Sequence, residues 1–327
     1  MLWPTGRRFL VSACLLLVVC GRIGRVVNLA AVVMAACWLL ATIETRAFAQ
    51  VPAEPPERGR VLHIIDVDGA GLHPLPSEAG KTYGSPDWSP DGEWLAYDVS
   101  LINHDVNSTR IEVIRANGED RREIGHGAMP SWSPDGKQIV AHTYTSEGIV
   151  VMDVDGDGRE TIMEHWGSPR WSPVGNRVVA ANSGGGLSIF DLTAGTEYGV
   201  LRRVPVYQGL SIAPDGLRVC FADPNGALML ATFDAEMKHA SAKRLVDGGY
   251  FSHSSWSPDG KQIAFTWKPD PSTEDPEQLY LLDVDHPETP PRKLKGLDSA
   301  DDNADPDWSP DGKQIAFSLK KGRSATE

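Results

Sequence analysis

From about residue 61 onward, short apolar runs alternate with turns rich in Pro, Asp and Gly. Within a run such as Gln262–Phe265 the apolar side chains follow the two-residue period of a strand with one buried face. The turns have their own logic. Pro presets φ for the first corner, Asp bonds back to the backbone, and Gly takes the left-handed position. A second kind of run lies between these hairpins, at Ile149–Met152, Leu187–Phe190 and Leu279–Leu282, each ending in Asp and a turn.

The pattern repeats. Trp88, Trp132, Trp171, Trp256 and Trp308 each open a Trp-Ser-Pro segment followed by a turn and a strand, and Ile212 opens a degenerate copy. Successive anchors lie 44, 39, 41, 44 and 52 residues apart. Four strands in a repeat of that length make one propeller blade. The predicted fold is therefore all-β, a six-bladed β-propeller with four-stranded blades over residues 61–320. The sixth repeat carries only its first two strands, so residues 61–75 are expected to complete that blade and remove the open sheet edges. The anchor tryptophans recur at one phase and are expected to pack between blades.

These repeats resemble the PD40 repeats of the TolB-like propellers, over about residues 61–320. The resemblance implies a periplasmic propeller. It departs from that family in one respect: TolB carries an α/β domain before its propeller, whereas residues 50–60 read as a Pro- and Glu-rich linker. Similar repeats occur in prolyl-oligopeptidase-like peptidases, whose catalytic domain needs a G-x-S-x-G elbow in an α/β fold. The nearest segment, Gly209-Leu210-Ser211, falls in a strand of the fourth repeat.

Charge and cysteine narrow the setting. The formal net charge is −13, and beyond residue 49 there are 26 basic against 43 acidic side chains. Such a surface repels phosphate backbones, so no nucleic-acid partner is expected. Residues 1–49 combine arginines, two apolar runs and Ala47-Phe48-Ala49, the layout of a cleaved export signal, with cleavage expected after Ala49. Retention of one apolar run, or lipidation at Cys37, would give an anchored protein instead; membrane contact is expected only by those routes. Cys220 is the one cysteine beyond the leader and reads as a small buried hydrophobe. A periplasmic or secreted monomer follows, with residues 321–327 as a tail.

Candidate chemistry is sparse. Asp153, Asp155 and Asp157, with Glu164, satisfy a calcium-loop spacing, although Asp and Gly at this phase also serve a plain turn. Calcium is thus possible and no other cofactor is expected. The histidines form no zinc pattern. If the anchor turn and the Asp-containing turn share one face, the blade-to-blade crossings and the loops between second and third strands lie on the other. Six and five residues before the anchors stand Tyr83, His126, His165, Trp166, Tyr207, Tyr250, Phe251 and Asp302, the predicted binding face. Two functions compete. One is a non-enzymatic scaffold binding an envelope protein or peptide. The other is a lyase or hydrolase acting on a polysaccharide at the channel mouth, with His126, His165 and Asp302 as its acid and base groups.

Overall fold

Six antiparallel sheets of four strands build the protein, and five of them run through the chain in order, at 81–126, 128–163, 170–202, 208–246 and 250–293, blades 1 to 5. The computed structural model describes residues 59–322 apart from 166, 183, 203, 207 and 247, so the expected leader, the expected cleavage after Ala49 and most of the expected linker lie outside the described residues. Blade 6 is composite. Its first two strands, Asp302–Trp308 and Gln314–Lys320, pair onward to Val61–Asp66 and then His73–Pro74. The register runs unbroken from Val61 opposite Leu319 to Asp66 opposite Gln314. Gln314 Nε2 also donates to Asp66 Oδ1 at 3.0 Å. The expected closure is present, and it leaves no unpaired second strand in blade 6.

The first strand of each blade contacts the first strands of both neighbours, so these six inner strands form a closed ring around an axial channel. They are Lys81–Trp88, Ala128–Trp132, Arg170–Trp171, Gln208–Ile212, Tyr250–Trp256 and Asp302–Trp308. Side-chain hydrogen bonds hold the anchor turns that follow. In blade 1, Ser89 Oγ donates to Asp91 Oδ1 at 2.6 Å, and Asp91 Oδ1 accepts from Glu93 N at 2.9 Å. Trp94 N donates back to Ser89 Oγ at 2.9 Å, and Gly92 takes φ 73°. Blades 2, 5 and 6 repeat this arrangement around Asp135, Asp259 and Asp311. Blade 3 has Val174 in place of Asp, and blade 4 has Ala213 in place of Ser.

Among the described residues there are six hydrophobic cores, and each lies between two blades. Trp88 packs with Leu62, Ile64 and Ala316 of blade 6, and Trp132 with Ile111, Val113 and Ile124 of blade 1. Trp171, Trp256 and Trp308 do the same against blades 2, 4 and 5. At 6–8% exposure, all five indoles are core residues that join one blade to the blade before it. Cys220 is fully buried in the core between blades 4 and 5, and burial pushes its thiol up.

Candidate functional site

Five of the six inner strands carry β-bulges, which bend them to fit the ring. The pairing shifts between Gly84 and Asp87, Ala128 and Ser131, Gln208 and Ser211, Phe251 and Ser254, and Ala304 and Asp307. Within these bulges Ser85, Met129 and Asp305 adopt φ of 47°, 51° and 55°, a conformation that costs a non-glycine residue about 1–2 kcal/mol. A neighbouring blade captures each turned N–H. Ser85 N donates to Asp305 Oδ2 at 3.4 Å, Met129 N to Asp98 Oδ2 at 2.9 Å, and Asp305 N to Thr266 Oγ1 at 3.2 Å.

A second ring of latches lies one step nearer the anchor turns. Asp87 Oδ2 accepts from Trp132 N at 2.7 Å, and Asp307 Oδ2 from Trp88 N at 2.8 Å. Ser131 Oγ and Ser255 Oγ accept from Trp171 N and Trp308 N. In blade 3 the position is Arg170, which donates to Leu210 O at 2.9 Å and Pro130 O at 3.1 Å. Burial raises the Asp87 and Asp307 carboxyls, and the repulsion of Asp307 raises Asp87 further, against the pull of Arg170. These residues, with the Trp-x-Pro turns, line a funnel of about 350 Å³ at the anchor-turn end of the channel. Its polar groups are largely committed to holding the blades together.

The opposite end differs. His253 Nδ1 meets Asp305 Oδ1 at 2.7 Å, between the inner strands of blades 5 and 6. Burial would lower the imidazole, but the Asp305 carboxylate outweighs it and the net shift is upward. Burial also works against Asp305, yet His253, Arg60 and the Ser318 hydroxyl hold its carboxyl well below the usual range. Glu277, nearby, is raised by burial and by Asp302. Around this pair four buried polar atoms have no hydrogen-bond partner among the described residues: Ser252 Oγ, His253 Nε2, Asp302 Oδ1 and Asn303 Oδ1. Each of these atoms is closed to solvent, and buried polar groups are nearly always paired, so four together mark an interblade seam with unmet hydrogen-bonding capacity.

The residues expected to bind are scattered. Tyr83 and Phe251 are 2% and 1% exposed, and their rings pack on Tyr97 and Phe265. They belong to the core because the inner strands of blades 1 and 5 begin early enough to include them, which corrects their assignment to the binding face. Tyr250 is half-buried, and Trp166 and Tyr207 lie outside the described residues. His126, His165 and Asp302 stand on or beside blades 1, 2 and 6 and do not converge. Arg110 Nη1 lies 2.7 Å from His126 Nδ1, Glu197 Oε1 lies 3.0 Å from His165 Nε2, and Arg60 pairs with Asp302 at 2.7 Å. Ser211 Oγ bonds Ser254 Oγ at 2.8 Å in a buried strand.

The acidic loop forms a hydrogen-bonded turn. Asp153 Oδ1 accepts from Gln138 Nε2 at 3.0 Å, and Asp155 Oδ1 accepts from Asp157 N at 3.1 Å. Among the described residues no group of three or more His, Cys, Asp or Glu is placed to hold a metal ion. None of their helices is long and apolar enough to cross a membrane.

Sequence reading missed His253, Asp305 and Ser252. The available signal was the position three before each anchor. It reads Ser85, Met129, Ser168, Gly209, His253 and Asp305, and turns ionisable in two adjacent blades only.

Comparison with known proteins agrees with this architecture. Among curated proteins, Atu1656 of Agrobacterium fabrum is 27% identical over 120 residues, which is 32% of this chain and 39% of that protein. The chain thus matches about two-fifths of that relative's length. Among solved structures, the TolB of Agrobacterium tumefaciens superposes with a TM-score of 0.60 at 16% identity, covering 80% of this chain and 97% of that one. The TolB of Acinetobacter baumannii gives 0.50 at 18% identity, over 76% and 66% of the two chains. At such identities the likeness is one of fold. The PD40 family, described as the TolB beta propeller domain, matches residues 44–285, well over half of the sequence. The chain belongs to the TolB β-propeller family.

Proposed function

We propose that this propeller is exported to the cell envelope and acts without catalysis, as a scaffold that docks a protein or peptide at the crossing-face mouth of its channel. The observation that carries the reading is the polar seam between blades 5 and 6, whose unmet groups are closed to solvent in the free protein and would pair with a partner that opens the seam. Asp302 Oδ1 and Asn303 Oδ1 are acceptors, Ser252 Oγ is a donor or acceptor, and His253 Nε2 becomes a donor when the ring is protonated. A polypeptide backbone offers both N–H and C=O groups and matches such a mixed seam. The raised basicity of His253 favours its charged form and suits a carbonyl or carboxylate of the partner. The apolar leader and the family fold support the envelope setting.

Ser252→Ala tests the reading cleanly. Its hydroxyl has no partner among the described residues, so removal leaves thermal stability unchanged. If the hydroxyl serves a partner, retention of that partner from envelope extract falls. A partner held equally by the variant and the unaltered protein would contradict the assignment.

A further inference from the structure

A separate cleft opens on the crossing face between blades 1 and 2, with a volume of about 270 Å³. Val106 and Tyr144 line it and are 56% and 46% exposed, among the few large apolar side chains left to solvent. The Tyr144 ring is braced edge-on by the buried His142 ring, 4.7 Å away at 88°. It is therefore a fixed aromatic surface facing water.

The polar lining is paired in a particular way. Arg159 Nε and Nη2 donate to the two carboxylate oxygens of Glu147, both at 2.9 Å, and Arg159 Nη1 donates to His126 O at 2.9 Å. Arg110 contributes Nη1 at 2.7 Å to His126 Nδ1, and its Nε lies 3.3 Å from Glu123. A guanidinium only donates, so Nδ1 of His126 accepts and the ring proton sits on Nε2. The formal charges cancel pairwise, Glu147 against Arg159 and Glu123 against Arg110. An anion or a cation finds no net counter-charge. A peptide finds little main chain to pair with, since Gly127 N and Thr143 N already bond Thr109 O and Gly148 O.

What the cleft offers is an aromatic face, an imidazole N–H, and a planar carboxylate–guanidinium pair with acceptor and donor side by side. A pyranose presents one face of C–H groups, and adjacent hydroxyls that each donate and accept. We propose that this cleft is a binding site for a neutral saccharide unit, its ring stacked on Tyr144 and two hydroxyls bridging Glu147 and Arg159. The volume lies just below the roughly 300–1,000 Å³ of drug-sized pockets, which suits one or two sugar residues. The site is independent of the channel wall.

Saturation-transfer NMR and calorimetry on the mature protein test this with cellotetraose, maltotetraose and chitotetraose. A tetragalacturonate and a tetra-alanine peptide serve as the charged and peptide arms. Saturable binding of at least one neutral tetrasaccharide is expected. Tyr144→Ala should weaken it about tenfold or more, Tyr144→Phe should retain it, and Ser252→Ala should leave it unchanged. Absence of saturation by all three at about 10 mM, preference for the galacturonate or the peptide, or unchanged affinity in Tyr144→Ala would each overturn the proposal. Because Tyr144 is half exposed, both variants should melt with the unaltered protein, and Tyr144→Phe separates lost stacking from lost structure.

Discussion

Asp305→Asn removes the charge from the channel's buried ion pair while keeping the side chain's size. In the native ring Asp305 accepts from Ser318 Oγ at 3.0 Å and from Ser85 N at 3.4 Å, besides meeting His253 at 2.7 Å. Breaking a buried pair from one side typically costs about 3–5 kcal/mol. Here the two side chains keep 19% and 14% of their surface, and Asn retains one acceptor oxygen, so about 2–3 kcal/mol is the fitting magnitude. For a domain of this size that lowers Tm by about 5–10 °C. The effect depends on pH with a definite sign. His253 is raised, so its share of stability is full below the unfolded value near about 6.5 and is lost as pH rises through the folded pKa. Asp305 is lowered, so its share is full above the unfolded value near about 3.9 and is lost only as pH falls towards its depressed folded pKa. Circular dichroism melts at about pH 5.5 and about pH 9 should therefore show a larger penalty at the lower pH. Arg170 and Glu277 also act on His253 and are common to both proteins, so the difference isolates the pair. A loss under about 2 °C, or the same loss at both pH values, would refute the reasoning.

Gly136→Ala and Gly148→Ala should separate backbone strain from collision. At Gly136, φ is 70° and the nearest atom to an added Cβ is Pro90 Cδ at 3.8 Å, so the cost in urea unfolding is about 1–2 kcal/mol. At Gly148 the same Cβ would run into the Met163 carbonyl, and the loss should exceed about 2 kcal/mol. The turn carboxyls Asp91, Asp135, Asp259 and Asp311 are all held below their ordinary value, first by their Ser hydroxyls. Acid unfolding should therefore begin as pH falls below about 4, and Ser257→Ala should shift its midpoint upward. Millimolar calcium should leave Tm unchanged, because Asp153 and Asp155 are engaged in turn hydrogen bonds; a calcium-dependent rise lost in Asp155→Ala would reverse this. A chain beginning at residue 80 should lose cooperative unfolding, since it lacks the strand opposite Leu319–Gln314.

The blades were legible because their determinants are local and repeated. Ser, Asp and Gly of an anchor turn bond to one another within a few residues, and Trp marks the same interblade contact five times. Even closure could be read, since the half-blade at 302–320 demanded a partner and Val61–Asp66 had the right alternation. The channel wall was not legible. Its key contacts join different blades, as His253 joins Asp305, and depend on bulges that place Ser85, Met129 and Asp305 at positive φ with no glycine to announce it. Tyr83 and Phe251 show the converse failure. Inner strands vary from two residues at Arg170–Trp171 to eight at Lys81–Trp88, so one offset from the anchor falls in a crossing in some blades and in the core in others. The cleft at Tyr144 joins two loops and a crossing that no repeat pattern aligns.

The central claim is that a polypeptide partner docks at the crossing-face end of the channel. Hydrogen exchange on the propeller with and without a captured partner addresses it directly. The predicted footprint is slowed exchange across Tyr250–His253 and Asp302–Asp305, with the anchor turns around Gly92, Gly136 and Gly312 unchanged. Protection confined to those anchor turns, leaving both segments as in the free protein, would contradict the account.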